Sequence, residues 1–169
     1  MAVGCSALMI NVLAMLVSLS QPVADIPTIV VTPQDQSALN QQAIQAIAFM
    51  DGYFQHLSGP DVLSEFQHDY ADYISYYSKV KRKDEVLREK AGFVRRWPQR
   101  SYRPRQSSIQ VACRMLSGEH VCAISGLVDF NCRSAERHAV SSGVAHFVAQ
   151  IWFGGDHPML IGEKSTVIG

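Results

Sequence analysis

Apolar residues recur along the first half of the chain at helical spacing. Leu39, Ala43, Ile47, Met50, Phe54 and Leu57 lie four, four, three, four and three apart, one stripe of an amphipathic helix. Gln41, Gln42, Gln45 and Asp51 fall off that stripe, so this helix is built to cover a sheet rather than to cross a membrane. Thr32 can cap it, Pro33 suits the first helical position and Asp35 favours the positive end of the dipole. Ser58-Gly59-Pro60 ends it. Val62, Leu63 and Phe66 predict a short second helix from Asp61 to Gln67. Tyr70 to Tyr77 then suits a pleated surface, with Tyr73, Ser75 and Tyr77 on one face and Asp72, Ile74 and Tyr76 on the other. From Arg82 the pattern is helical again. Val86, Leu87, Lys90, Ala91, Val94 and Trp97 form the buried stripe, acids open the helix and Arg95 and Arg96 close it, and Pro98 disfavours helix at Trp97.

The remainder reads as strand after strand. Ile109, Val111, Cys113 and Met115 alternate inward over Ser107 to Met115, and Cys122, Ile124, Gly126, Val128 and Phe130 do so over His120 to Cys132. A run from Val140 to Phe153 follows, then a Gly154-Gly155 turn, and Met159 to Ile168 closes the sheet. Gly126 and Gly143 are expected at bends or bulges. Helices early and strands late predict an α+β domain, order α-α-β-α-β-β-β-β, with helices packed on one face of a strongly curved antiparallel sheet.

Charge changes this picture locally rather than in sum. The chain is neutral overall, with 15 basic and 15 acidic residues, yet Lys79 to Arg105 holds eleven of the bases and only three acids. Seven acids precede it from Asp25 onward with no Lys or Arg among them. Either two solvated faces attract one another, or the basic stretch meets an anionic partner. Zero net charge and no aromatic interleaving argue against nucleic acid.

Residues 1–20 carry no charged side chain and are strongly apolar. Residues 1–24 read as a secretory signal peptide, with an uncleaved membrane anchor through residues 1–20 as the rival; both put the body in the periplasm or at the cell surface. Residues 25–33 form a leader, and 34–169 one domain. Export permits disulfides. Cys113 and Cys122 flank the turn Leu116-Ser117-Gly118-Glu119, so a hairpin there sets them face to face, as a bridge or as two buried thiols. Cys132 is left over, and no Cys-x-x-Cys suggests zinc or a redox pair.

The order of elements is similar to the cone-shaped fold of the nuclear transport factor 2-like superfamily, in which a bent sheet and three helices enclose a blind pocket. YADYISYYSK (Tyr70–Lys79), FVRRWPQRSYRPR (Phe93–Arg105) and the following strands resemble exported bacterial accessory domains of that superfamily, some attached to caspase-like peptidases. The likeness covers residues 34–168 and implies a fold without implying an activity. No Cys-His pair suggests the peptidase half.

Enzymes of that superfamily place an acid or His in the cone near Tyr or Trp, so Asp72, Asp129, His146 and Glu163 are the catalytic candidates, with Tyr73, Tyr77, Trp97 and Tyr102 as pocket lining. Each has a plainer account. His146 suits an exposed strand position, Asp129 has the wrong parity for the interior, and Glu163 reads as a cross-strand partner for a base. Arg95, Arg96, Arg100, Arg103 and Arg105 are the candidates for binding an anion, with pairing to the acids of the early helices as the alternative. No metal-ligand spacing, phosphate loop or nucleotide motif is present, so no cofactor is expected. The expectation is an exported, non-enzymatic module for an unknown protein or small apolar ligand, in one copy or as a homodimer. The alternatives are a lyase or isomerase using a cone acid, and a membrane-anchored scaffold of a secretion apparatus.

Overall fold

The computed structural model describes residues 33–60 and 62–168, all within one unit, Val31–Gly169. The signal or anchor reading of residues 1–24, most of the leader and the Thr32 cap lie outside the described residues. Helix α1 (Pro33–Ser58) is followed by α2 (Val62–Asp69), β1 (Tyr70–Tyr76), β2 (Lys79–Arg82), α3 (Lys83–Arg96), β3 (Gln99–Pro104), β4 (Gln110–Leu116), β5 (Glu119–Ser134), β6 (Ala139–Trp152) and β7 (Met159–Ile168). The seven strands form one sheet in the order β2-β1-β7-β6-β5-β3, with β4 also on β5. Among the described residues no helix is long and apolar enough to cross a membrane.

The α+β class and the early-helix, late-strand order hold, with three differences. Strand β2 was not expected; it pairs with β1 across the two-residue turn Tyr77-Ser78. The extended piece after Trp97-Pro98 is a true strand, β3, on the half of β5 that β4 leaves open. The sheet is mixed, because β1 runs parallel to β7. A short 3-10 turn, Gln106–Ser108, separates β3 from β4 along this edge. There Arg105 N–H donates to Leu127 O at 2.8 Å and Ser108 Oγ accepts from Leu127 N–H at 2.8 Å, so the β5 backbone stays satisfied across the break.

The apolar stripes do what their spacing requires. Met50, Phe54 and Leu57 of α1 and Val86 of α3 are buried against Ile124, Phe147, Ile151 and Leu160 of the sheet. The β5–β6 ladder runs from Val121 to Ser134 with no shift, so Gly126 and Gly143 are not bulges. They make room for rings instead. A Cβ on Gly126 would stand 3.1 Å from the Phe147 ring and 2.7 Å from Ile109 Cδ1, and one on Gly143 would stand 3.3 Å from the Phe130 ring.

The bulge falls in β7. Gln150 pairs with Gly162 and Ile151 with Leu160, leaving Ile161 as the extra residue. Its effect is on parity. Leu160 lies opposite the inward Ile151, and Glu163, three positions on, lies opposite the inward Ala149. A regular strand would have sent one of them outward.

The corner between α1 and β3 is fastened by Arg100. Its Nε donates to Leu57 O at 3.0 Å, Nη2 to Gly59 O at 2.6 Å, and Nη1 to Trp97 O at 2.7 Å and Pro98 O at 3.2 Å. These carbonyls include the end of α1, where no intrahelical donor remains. Cys113 and Cys122 are disulfide-bonded at paired positions of the β4–β5 hairpin, and Cys132 is a buried free thiol with Tyr102 Oη 3.4 Å away.

Candidate functional site

Between α1, α3 and the concave face of the sheet lies a cavity of about 960 Å³. Met50, Leu57, Phe93 and Phe147 give it an apolar wall, and Tyr77 and Tyr102 also line it. Its one buried acid is among the described residues Glu163, held inward by the β7 bulge, with a side chain 12% exposed.

Three donors converge on that carboxylate. Lys90 Nζ of α3 stands 2.6 Å from Oε1, and Tyr53 Oη of α1 donates to the same oxygen at 2.9 Å. Tyr70 Oη at the head of β1 donates to Oε2. Lys90 Nζ also donates to Tyr53 Oη at 2.8 Å, and it lies 5.5 Å from the centroids of the Tyr53 and Phe66 rings and 5.6 Å from that of Tyr76. An ammonium among three π faces and a carboxylate is a compensated buried charge. Burial pushes the phenols of Tyr53, Tyr70 and Tyr76 up from the ordinary tyrosine range, and the charge of Glu163 pushes them further. Burial likewise raises Tyr102, with its hydrogen bond to Cys132 adding to the shift. These phenols are therefore proton donors, not tyrosinates. A carboxylate offers about four lone-pair sites, so three donors leave Glu163 roughly one with which to meet a ligand.

The sequence pointed to Glu163 as a candidate and then explained it as a cross-strand partner. Its partner is indeed a base, Lys90, but the pair lies inside the cone. Tyr53 was not singled out; it stands three residues after Met50, on the flank of the α1 stripe. Lys90 was placed on the buried stripe, and a lysine on such a stripe requires an acid facing it.

The other candidates disperse. Asp72 has a side chain 87% exposed, 3.4 Å from Lys83, and Tyr73 is exposed beside it in a shallow cleft outside the cone. Tyr73 follows the outward parity of β1, whereas Asp72 shares the parity of the buried Ile74 and Tyr76 and is exposed where the β1–β7 register breaks between Tyr70 and Ser75. His146 is exposed on the convex face of β6, opposite Leu127 and Thr166. Asp129 is bound by the fork of Arg105 at 2.9 and 2.7 Å on the outside of the sheet, which holds its carboxyl below the usual range. None of the three lines the cavity. Trp97 does not line it; its ring carries the Arg137 guanidinium at 5.3 Å.

The five arginines separate in the same way. Arg100 is 8% exposed and spent on carbonyls, Arg105 is spent on Asp129, and Arg103 points outward from β3. Only Arg95 and Arg96 reach the cavity, at its mouth.

No protein-family model matches the chain, and no curated protein matches it. Solved structures do. A protein named "Putative Scytalone Dehydratase" from Novosphingobium aromaticivorans is 11% identical, with a TM-score of 0.60 over 80% of this chain and 89% of that one. A nuclear transport factor 2-like superfamily protein from Salmonella enterica serovar Typhimurium is 6% identical, with a TM-score of 0.58 over 79% and 94%. A protein named "putative dehydratase from the NTF2-like family" of Streptomyces avermitilis is 11% identical, with a TM-score of 0.54 over 81% and 99%. Likeness at this level is likeness of backbone, and it extends over about four fifths of this chain, with its seven-stranded sheet and three helices. The chain has the cone-shaped α+β fold of the nuclear transport factor 2-like superfamily.

Proposed function

We propose that the chain is a small-molecule-binding module that holds its ligand in the cone without transforming it. The carrying observation is an open cavity of about 960 Å³ whose one inner acid is already engaged by Lys90, Tyr53 and Tyr70. A cavity of that volume takes a ligand of ordinary cofactor size, with most of the gain coming from apolar wall. A general base must be free to receive the substrate's proton. Three of the roughly four lone-pair sites of Glu163 are already filled.

The module is exported on this reading, of the accessory-domain kind that its tyrosine and Trp-Pro strings resemble. The Cys113–Cys122 disulfide supports an oxidising compartment. Intact-mass measurement of the exported protein tests both the fate of residues 1–20 and the two missing hydrogens.

The second reading is a lyase or isomerase. It is favoured by a buried carboxylate beside two protonated phenols at the base of a cavity, an acid and donors within one hydrogen-bonded group. The dehydratase names of two structural neighbours agree with it.

The test is to purify the exported protein gently, extract it under denaturing conditions and identify the released small molecule by mass spectrometry. The expected result is one compound class near stoichiometric amounts, recovered unchanged after incubation with fresh protein. Conversion that disappears in Glu163→Gln would overturn the binding-only reading in favour of the lyase.

A further inference from the structure

The cavity's mouth carries a charge pattern that its interior does not. Lys79 and Lys81 of β2, Arg95 and Arg96 of α3, Arg137 of the β5–β6 turn and Lys164 of β7 all border it. The acids there are Glu89 and Glu136 besides the inner Glu163. Glu89 is bound by Lys81. Among the described residues, Lys79, Arg95, Arg96, Arg137 and Lys164 form no ion pair with any carboxylate, whereas the other bases of the basic stretch mostly do: Arg82 and Arg88 with Asp84, Lys83 with Asp72, Arg105 with Asp129. Helix-dipole matching accounts for Arg95 and Arg96 at the end of α3. It does not account for a lysine on β2, an arginine on a turn and a lysine on β7 at the same rim.

Resting on the binding reading above, we infer that the ligand is an amphiphilic anion, an apolar body carrying a carboxylate, sulfonate or phosphate group. The body lies against Met50, Leu57, Phe93 and Phe147, and the charged group stays at the rim among Arg95, Arg96, Arg137 and Lys164. Orientation follows from the inner acid. Glu163 has its charge met by Lys90, so among the described residues the depth of the cone offers an anion no unpaired cation, while the rim offers several. The low-dielectric wall beneath the rim focuses that field on the opening.

Two fluorescent probes with one ring skeleton test this: N-phenyl-1-naphthylamine, which is neutral, and 8-anilinonaphthalene-1-sulfonate, its anionic counterpart. The expected result is one saturable site for both, with the sulfonate bound about tenfold more tightly, since a few exposed charge contacts of some tenths of a kcal/mol together amount to that factor. Arg95→Ala/Arg96→Ala/Lys164→Ala removes exposed, unpaired cations and should bring the ratio near unity with the neutral probe unaffected; raised salt should do the same. Equal affinities in the unaltered protein, with both probes lost in Ala149→Phe or Ala145→Phe, would overturn the anion and leave the binding cone standing. Probe binding that neither cavity-filling substitution reduces would overturn both.

Discussion

Lys90 Nζ on α3 and Glu163 Oε1 on β7 stand 2.6 Å apart, with 9% and 12% of their side chains exposed. Seventy-three residues separate them in the chain. Breaking such a pair from one side leaves an uncompensated charge in the cone, whereas removing both charges does not. Lys90→Met and Glu163→Gln should each destabilise the fold by about 3 kcal/mol, the low end for a buried pair because the cavity admits water. Lys90→Met/Glu163→Leu should cost markedly less than the sum of its singles. Urea denaturation of the four proteins measures the cycle, and additive effects would show that the two charges do not depend on each other.

Alkaline pH should unfold the protein cooperatively. Tyr53, Tyr70, Tyr76 and Tyr102 are all raised in the folded state, chiefly by burial. In the unfolded chain a phenol ionises near about pH 10. Below that pH both states are protonated and the stabilisation is complete. Above it the unfolded state releases protons that the folded state retains, so stability falls with rising pH, with a slope approaching four protons. Absorbance of tyrosinate and far-ultraviolet circular dichroism should therefore change together above about pH 10 for these four phenols. Their stepwise ionisation in a protein that keeps its fold would contradict the burial argument.

Two backbone features decided what the chain disclosed in advance. The long stripes of α1 and α3 and the alternation of β4 to β7 are periodic, so they are legible, and the Ser117-Gly118 turn between β4 and β5 carries a glycine at φ 86° that announces it. The equivalent turn between β1 and β2 is Tyr77-Ser78, with φ 49° and 64° and no Gly or Asn, and β2 was missed with it. The inner acid was obscured for a related reason. Alternation predicts a face only while the register is regular, and the extra residue at Ile161 reverses it just before Glu163. A charge on a buried stripe, Lys90, was the available sign that an acid must face it. The anion candidates were read as one basic string, but helix, corner and edge strand send them to separate places.

The Tyr77-Ser78 turn gives a prediction of opposite sign from most substitutions. Ser78 holds φ 64° with a Cβ, a conformation that glycine adopts freely. Ser78 is exposed, and its replacement removes no contact with the core. Ser78→Gly should stabilise the protein by about 0.5–1 kcal/mol, less than the full left-handed penalty because glycine also enlarges the unfolded ensemble. Thermal denaturation reads this as a rise in Tm. A fall would mean that the serine side chain contributes more to the turn than its backbone strain removes.

Arg100 separates structural charge from binding charge. It is buried at the corner of α1 and β3, and its fork donates to the carbonyl oxygens of Leu57, Gly59, Trp97 and Pro98. Lysine preserves the charge but not the fork, so at least two of those carbonyls lose their donor in a place with little water. Each orphaned carbonyl costs about 1–3 kcal/mol, and Arg100→Lys should therefore destabilise by about 2–4 kcal/mol. Arg96→Ala, at an exposed position with no ion pair among the described residues, should leave stability within experimental error. The two substitutions should exchange their ranks in the naphthalenesulfonate assay, where Arg100→Lys that still folds keeps the affinity ratio and Arg96→Ala lowers it. An Arg100→Lys protein of normal stability, or one that loses sulfonate selectivity while folded, would return Arg100 to the anion site and remove it from the corner.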